Sequence, residues 1–191
     1  MPLHLSLNDE ADELLSRDPF ALLTGMLLDQ QFPMERAFAG PYLLATRLGL
    51  SELDPQVLVS TTEERLLEAA KGPPAIHRYP GSMAKRVQAL AEVVLSEYDG
   101  DAARIWQDAT DGKDALARLE GLPGFGSAKA RIFLALVGKQ LGQGPPGWQE
   151  AARPYSEPGT TMSVADVTSA QTLADVRAWK KHQKQAAKAA E

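Results

Sequence analysis

Not one cysteine occurs among the 191 residues, which excludes disulfides, thiolate nucleophiles, cysteine-type zinc sites and iron–sulfur clusters. Histidine is nearly as scarce. His4, His77 and His182 lie far apart with neither HxxxH nor HxxE spacing, so no metal and no cofactor is expected, and each histidine reads as a surface or capping residue. No apolar run reaches the ~18 to 20 residues that span a bilayer. The first residues, MPLHLSLNDEADELL, carry acids where a secretory signal carries bases and a longer apolar stretch. The chain is therefore expected to be soluble and cytoplasmic, without a membrane partner. With 44% hydrophobic and 24% charged residues it has the profile of a folded chain rather than a disordered one, and its length suits one domain or two small packed ones.

Acids outnumber bases, and the formal net charge is -5, but the charge is unevenly spread. Lys71 to Arg86 contains Lys71, Arg78, Lys85 and Arg86 and no acid; Gly121 to Gln149 contains Lys129, Arg131 and Lys139 and no acid. Those two windows hold seven positive charges, leaving -12 for the rest of the chain. Segregation of this kind suits a protein with one polyanion-binding face.

The pattern predicts helix after helix. Asp18-Pro19 sets an N-cap and a first-turn proline before the apolar stripe Phe20, Leu23 and Leu27, a buried helix ending near Gln31 to Pro33. Asp54-Pro55 repeats the device, and Thr61-Thr62-Glu63-Glu64 resembles a capping box before Arg65 to Ala70. Further helices are expected at Ser82 to Tyr98, Ala102 to Asp108, Lys113 to Leu119 and Ser127 to Val137. Gly142 to Thr161 is rich in Gly and Pro and reads as a surface loop, followed by a helix from about Leu173 that runs into a frayed tail bearing Lys180, Lys181, Lys184 and Lys188. With no alternating strand pattern and no repeat, the predicted class is all-α.

The most informative segment is Leu119-Glu120-Gly121-Leu122-Pro123-Gly124-Phe125-Gly126-Ser127-Ala128-Lys129-Ala130-Arg131. Glycines at 124 and 126 permit positive φ and close approach, Phe125 staples two helices together, and Leu122 precedes the turn. The turn leaves free N–H groups at Gly124, Gly126 and the helix start at Ser127. Orphan donors at the positive end of a helix make an anion site that a phosphodiester fits without base readout, with Lys129 adding charge. A P-loop would need Gly-Lys-Ser/Thr here, and a dinucleotide fingerprint would need glycine in place of Lys129.

This segment resembles the helix-hairpin-helix motif of the endonuclease III-like superfamily of base-excision DNA glycosylases, including the small Ala130 where the helices touch. Upstream, Leu27-Leu28-Asp29-Gln30-Gln31 is similar to the Leu-Leu-x-Gln-Gln end of a buried helix near the start of the same fold. The resemblance covers roughly Asp18 to Gly138. It implies a two-lobed helical fold: residues 19–126 as a six-helix-barrel-like lobe ending in the hairpin, and residues 1–18 plus 127–191 as a second lobe, with the cleft between them. It also implies a monomer acting on double-stranded DNA that contains a damaged base. On this reading Gln30 or Gln31 fills the gap left when that base rotates out of the stack.

The resemblance thins at the chemistry. The lysine that forms a Schiff base in bifunctional members falls here on Ala128, and Lys129 lies about 100° further round the helix, so a monofunctional hydrolase is implied. The four-cysteine iron–sulfur cluster of its relatives is ruled out. The family's catalytic aspartate falls on Pro146, and no aspartate occurs between Asp114 and Asp166. Two carboxylates are candidates for stabilising the cationic sugar: Asp166, beside apolar Val164 and Val167, is preferred over Glu150. Phe32, Trp148 and Tyr155 are expected to wall a base pocket. Alkylated purines are the favoured substrates, because cationic bases leave most readily. The competing reading is a non-catalytic protein that binds damaged or distorted DNA.

Overall fold

The structure, a computed structural model, describes residues 2–191, and among them the chain is all-α, with no strand. The helices are α1 (Asp9–Arg17), α2 (Pro19–Leu28), α3 (Met34–Arg47), α4 (Pro55–Ser60), α5 (Glu63–Lys71), α6 (Pro80–Glu97), α7 (Arg104–Gln107), α8 (Gly112–Glu120), α9 (Ser127–Leu136), α10 (Trp148–Ala151) and α11 (Ala170–Ala189). A π-helical turn, Val137–Leu141, extends α9, and a short 3-10 turn, Val164–Asp166, precedes α11.

The predicted caps form. The Asp18 carboxylate accepts from Ala21 N at 3.0 Å and from Leu53 N at 2.7 Å, tying the start of α2 to the loop before α4. Thr62 accepts from Arg65 N, although Arg65 rather than an acid stands at the third helical position, so no reciprocal box closes. α1 and α3 were not foreseen. α3 carries Pro41 in its interior, a residue that removes a helical donor and reads as a stop.

α2 is buried around its whole circumference, every residue from Phe20 to Leu28 included, where the stripe Phe20, Leu23 and Leu27 implied one apolar face. Its neighbour α3 approaches closely because of two glycines. A Cβ on Gly25 would lie 2.6 Å from Phe38 Cδ1, and one on Gly40 would lie 2.6 Å from Leu28 Cδ1. α6 and α9 also pack on α2. The buried side chains from Leu3 to Val176 form one contiguous core. α1 packs chiefly on α2 and α3.

After α9, the Gly- and Pro-rich stretch is held by long-range polar contacts. Gln140 Nε2 donates to the carbonyls of Ala165 at 2.9 Å and Val167 at 3.0 Å. Trp148 fills a slot between Gly138 and Gly144, where any added Cβ would collide with the indole. The segment expected to be a frayed tail is helical through Ala189.

Candidate nucleic-acid interface

The hairpin joins α8 to α9. Phe125 is buried and meets Phe133 edge-on, with centroids 6.2 Å apart and planes at 87°, and Ala130 is fully buried in the helix contact. This is the stapling expected from sequence. Gly124 adopts φ +80 and lies directly over Leu27, so a Cβ there would sit inside van der Waals contact of Leu27 Cδ1. Gly126 corrects the expectation: its φ is -84, and nothing lies within 4 Å of where its Cβ would project. Neither protein sterics nor backbone conformation requires glycine at 126; the space beyond it is open.

Among the described residues, the backbone N–H groups of Gly124, Gly126, Ser127 and Ala128 have no partner, and no side chain caps α9. They form a donor cluster at the positive end of a ten-residue helix. Leu122 is buried below the turn and Ser127 is exposed at its rim.

Lys129 does not reach outward to this anion site. Its Nζ crosses to the end of α2, donating to the Leu27 carbonyl at 3.1 Å and to Gln30 Oε1 at 3.4 Å. Enclosure by protein lowers its pKa from 10.5 to about 8. The assignment of Lys129 as a phosphate ligand is thereby corrected: it is an internal clamp that fastens the hairpin helix to the Gln30–Gln31 turn, capping the negative end of α2.

Gln30 is held on both sides. Its carbonyl lies 2.9 Å from His77 Nε2, while His77 Nδ1 accepts from Tyr79 N at 3.1 Å, which assigns the Nε2–H tautomer. Gln31 follows in the left-handed region at φ +52 and is exposed. A non-glycine residue there is a strained presentation, maintained only by its surroundings. The two glutamines therefore differ in kind: Gln30 belongs to the clamp and Gln31 projects from it.

Phe32 stacks obliquely on His77 at 4.9 Å and carries the Arg36 guanidinium 4.7 Å over its ring; His77 lies 6.1 Å from Tyr79. Tyr79 is 53% exposed, large for an aromatic, with the Arg78 guanidinium 5.9 Å over its ring. Trp148 and Tyr155 are not part of this group. Both pack against the core on the far segment after α9, and neither pairs with Phe32. The expected three-walled pocket is not assembled; the aromatic neighbours of Phe32 are instead His77 and, beyond it, Tyr79.

Both expected catalytic carboxylates are engaged elsewhere. Asp166 Oδ1 pairs with Lys139 Nζ at 2.6 Å, and Oδ2 accepts from Met162 N at 2.8 Å, Thr160 Oγ1 at 3.1 Å and Ser163 N at 3.3 Å. Its side chain is only 4% exposed. With both oxygens engaged and the side chain enclosed, it holds the loop together rather than facing open space. Glu150, 72% exposed on the short α10, pairs with Arg153, an ordinary surface arrangement.

The carboxylate that sequence reasoning passed over is Asp29. It terminates α2 between Leu28 and Gln30, recessed in the crevice, and among the described residues its side chain makes no hydrogen bond or ion pair within 4 Å. Burial raises its pKa; the fields of Lys180 and Lys129 oppose that rise and Glu35 adds to it. Its place at the negative end of a helix is locally unfavourable for an acid, and that was the available signal. His77, expected at the surface, is 2% exposed. Burial lowers its pKa, with Lys129, Arg86 and Arg78 acting in the same direction. Three cations from the two basic windows, Arg78 and Arg86 from one and Lys129 from the other, thus act together on His77.

Comparison with protein-family models, curated proteins and solved structures finds no match to this chain. Among the described residues there is no cluster of His, Asp and Glu able to hold a metal ion, and no helix long and apolar enough to cross a membrane.

Proposed function

We propose that this chain is a DNA glycosylase of the helix-hairpin-helix kind, binding duplex DNA and hydrolysing the N-glycosidic bond of a damaged base turned out of the stack. The observation that carries the reading is the joining of two distant motifs into one surface. Gly124 of the hairpin rests on Leu27, Lys129 of the same hairpin clamps Gln30, and Gln31 is left projecting beside them. An anion-binding turn next to a strained, exposed amide is what backbone grip combined with base displacement requires.

On this reading the free N–H groups of Gly124, Gly126, Ser127 and Ala128 hold a phosphate, and Gln31 enters the vacated stack. The exposed ring of Tyr79 is the aromatic surface offered to the extruded base. Asp29 takes the role first sought in Asp166 and Glu150. As the base departs with the electron pair of the glycosidic bond, C1′ becomes cationic, and a recessed carboxylate stabilises that charge. Water then adds to C1′ and its proton passes to Asp29, whose raised pKa suits a proton acceptor. Lys129 Nζ is occupied by Leu27 O and Gln30 Oε1, so the chemistry is hydrolysis rather than lysine-imine strand cleavage.

The test is release of free base from duplexes each carrying one alkylated, deaminated or oxidised base, comparing wild type with Asp29→Asn. Release by wild type, reduced 100-fold or more in the variant, is expected. Equal release by both removes Asp29 from the mechanism. A covalent adduct trapped by borohydride on abasic DNA would replace hydrolysis by an imine. A second reading, non-catalytic binding of distorted DNA, is favoured by the full engagement of Asp166 and the surface position of Glu150; binding without release from any of the three lesion classes would select it.

A further inference from the structure

α11 is twenty residues long, about 30 Å, yet only its first half is packed. Leu173 and Val176 are buried, Ser169 and Thr172 cap each other's turn, and Arg177 pairs with Glu35 of α3. From Lys181 onward every residue is exposed.

Between Val176 and Ala190 the chain carries no acid. Arg177, Lys180, Lys181, Lys184, Gln185 and Lys188 line one shallow groove along the helix. The spacing places Arg177 with Lys181, Lys180 with Lys184, and Lys184 with Lys188 four residues apart. Like charges at that separation repel and weaken the helix. Apart from the Arg177–Glu35 pair, no cation of this face has an ion-pair partner among the described residues. The interspersed alanines sustain the helix against that repulsion. A single-sided row of cations, in a chain whose net charge is -5, is electrostatically incomplete until an external polyanion lies along it.

The root of this helix is fixed at the start of α3, where Arg177 pairs with Glu35 only four residues after Gln31. The row therefore begins near the Gln31 turn and leads away from it, presenting five cations over Arg177 to Lys188, roughly three for every two 5.4 Å turns, to a polyanion with one charge per ~1.7 Å of duplex axis.

We propose that the exposed basic face of α11 is a second, sequence-independent contact to the backbone of the same duplex, lengthening the footprint beyond the hairpin. This rests on the DNA reading of the crevice. The experiment uses the full chain with Lys181→Gln, Lys184→Gln and Lys188→Gln combined, all on exposed positions, with circular dichroism confirming that the helical fold is retained. Affinity for an undamaged duplex is measured across salt concentrations, with Gly126→Val as a parallel variant.

The expected result is a log–log salt slope shallower than wild type by up to about 2.7, from three lost phosphate contacts at ~0.9 each. Unchanged slope and affinity, with wild type binding and Gly126→Val impaired, overturn the arm while leaving the hairpin reading intact. Failure of wild type to bind duplex at low salt overturns both. Loss of binding to vesicles of anionic lipid, with DNA binding unaltered, would assign the face to a membrane surface and overturn the proposal.

Discussion

Gly124 lies against Leu27 so closely that no side chain fits between the hairpin and the end of α2. The two residues belong to motifs far apart in sequence, and their contact fixes the distance between the free N–H groups at the start of α9 and the Gln30–Gln31 turn. Lys129 repeats the link one turn further along, from Nζ to the Leu27 carbonyl and Gln30. The free N–H groups and the projecting amide are therefore held at a fixed spacing.

The two hairpin glycines should respond oppositely to substitution. Gly124→Ala meets both a positive φ and Leu27, and a loss of about 1 to 3 kcal/mol in unfolding free energy is expected. Gly126→Val places its side chain in open space at an ordinary φ, so stability should stay within about 0.5 kcal/mol, while the added methyls block a phosphate. Thermal melts paired with duplex-binding titrations separate the two effects. Undiminished affinity in folded Gly126→Val would remove the hairpin as a DNA contact.

Local signals carried much of the fold. The Asp18 and Asp54 caps, the Phe125 staple and the buried Ala130 are short-range features with fixed geometry, and each forms. What was illegible depends on contacts between distant segments. Asp166 resembled a held catalytic acid because Val164 and Val167 are indeed buried, but its neutralising partner Lys139 lies on the π-helical turn, outside any local pattern. His77 resembled a surface histidine, but the Gln30 carbonyl at the end of α2 closes over it. α3 keeps its helix through an interior Pro41, a residue whose local rule is to end one.

Asp166 makes a structural prediction. Removing one partner of an enclosed ion pair leaves the other charge uncompensated, at a cost of roughly 3 kcal/mol or more. Asp166→Asn and Lys139→Met should each lower the denaturant midpoint by a similar amount, whereas Glu150→Gln, on an exposed pair, should be neutral. Base release per folded molecule should be unchanged in all three. An Asp166→Asn protein as stable as wild type but inactive would return the carboxylate to the catalytic role.

His77 sets a pH dependence. Its folded pKa is below the ordinary 6.5, so as pH falls past 6.5 the unfolded chain takes up a proton that the folded chain refuses. Stability contributed by neutral His77 is complete above that value and declines below it, until the folded pKa is also passed. Unfolding free energies of wild type and His77→Gln, measured from pH 7.5 down to ~4.5, should show a steeper acid decline in wild type. Parallel curves would mean that the ring is solvated rather than enclosed.

Lys129 and Asp29 should report on each other. The Lys129 ammonium is enclosed enough to titrate at about 8, and the Asp29 carboxylate is the field that keeps it from falling further. In a chain with isotopically labelled lysine methylenes, the Lys129 resonance should titrate near pH 8. Neutralising the acid by Asp29→Asn should move that resonance to lower pH, since burial then acts without its electrostatic counterweight. The same asymmetry governs stability. Between about 8 and 10.5 the unfolded chain holds a proton that folded Lys129 has released, so this group's contribution becomes more favourable as pH rises through that window. A Lys129 resonance that ignores Asp29→Asn would separate the two groups in space, and the crevice would lose the carboxylate on which the proposed hydrolysis depends.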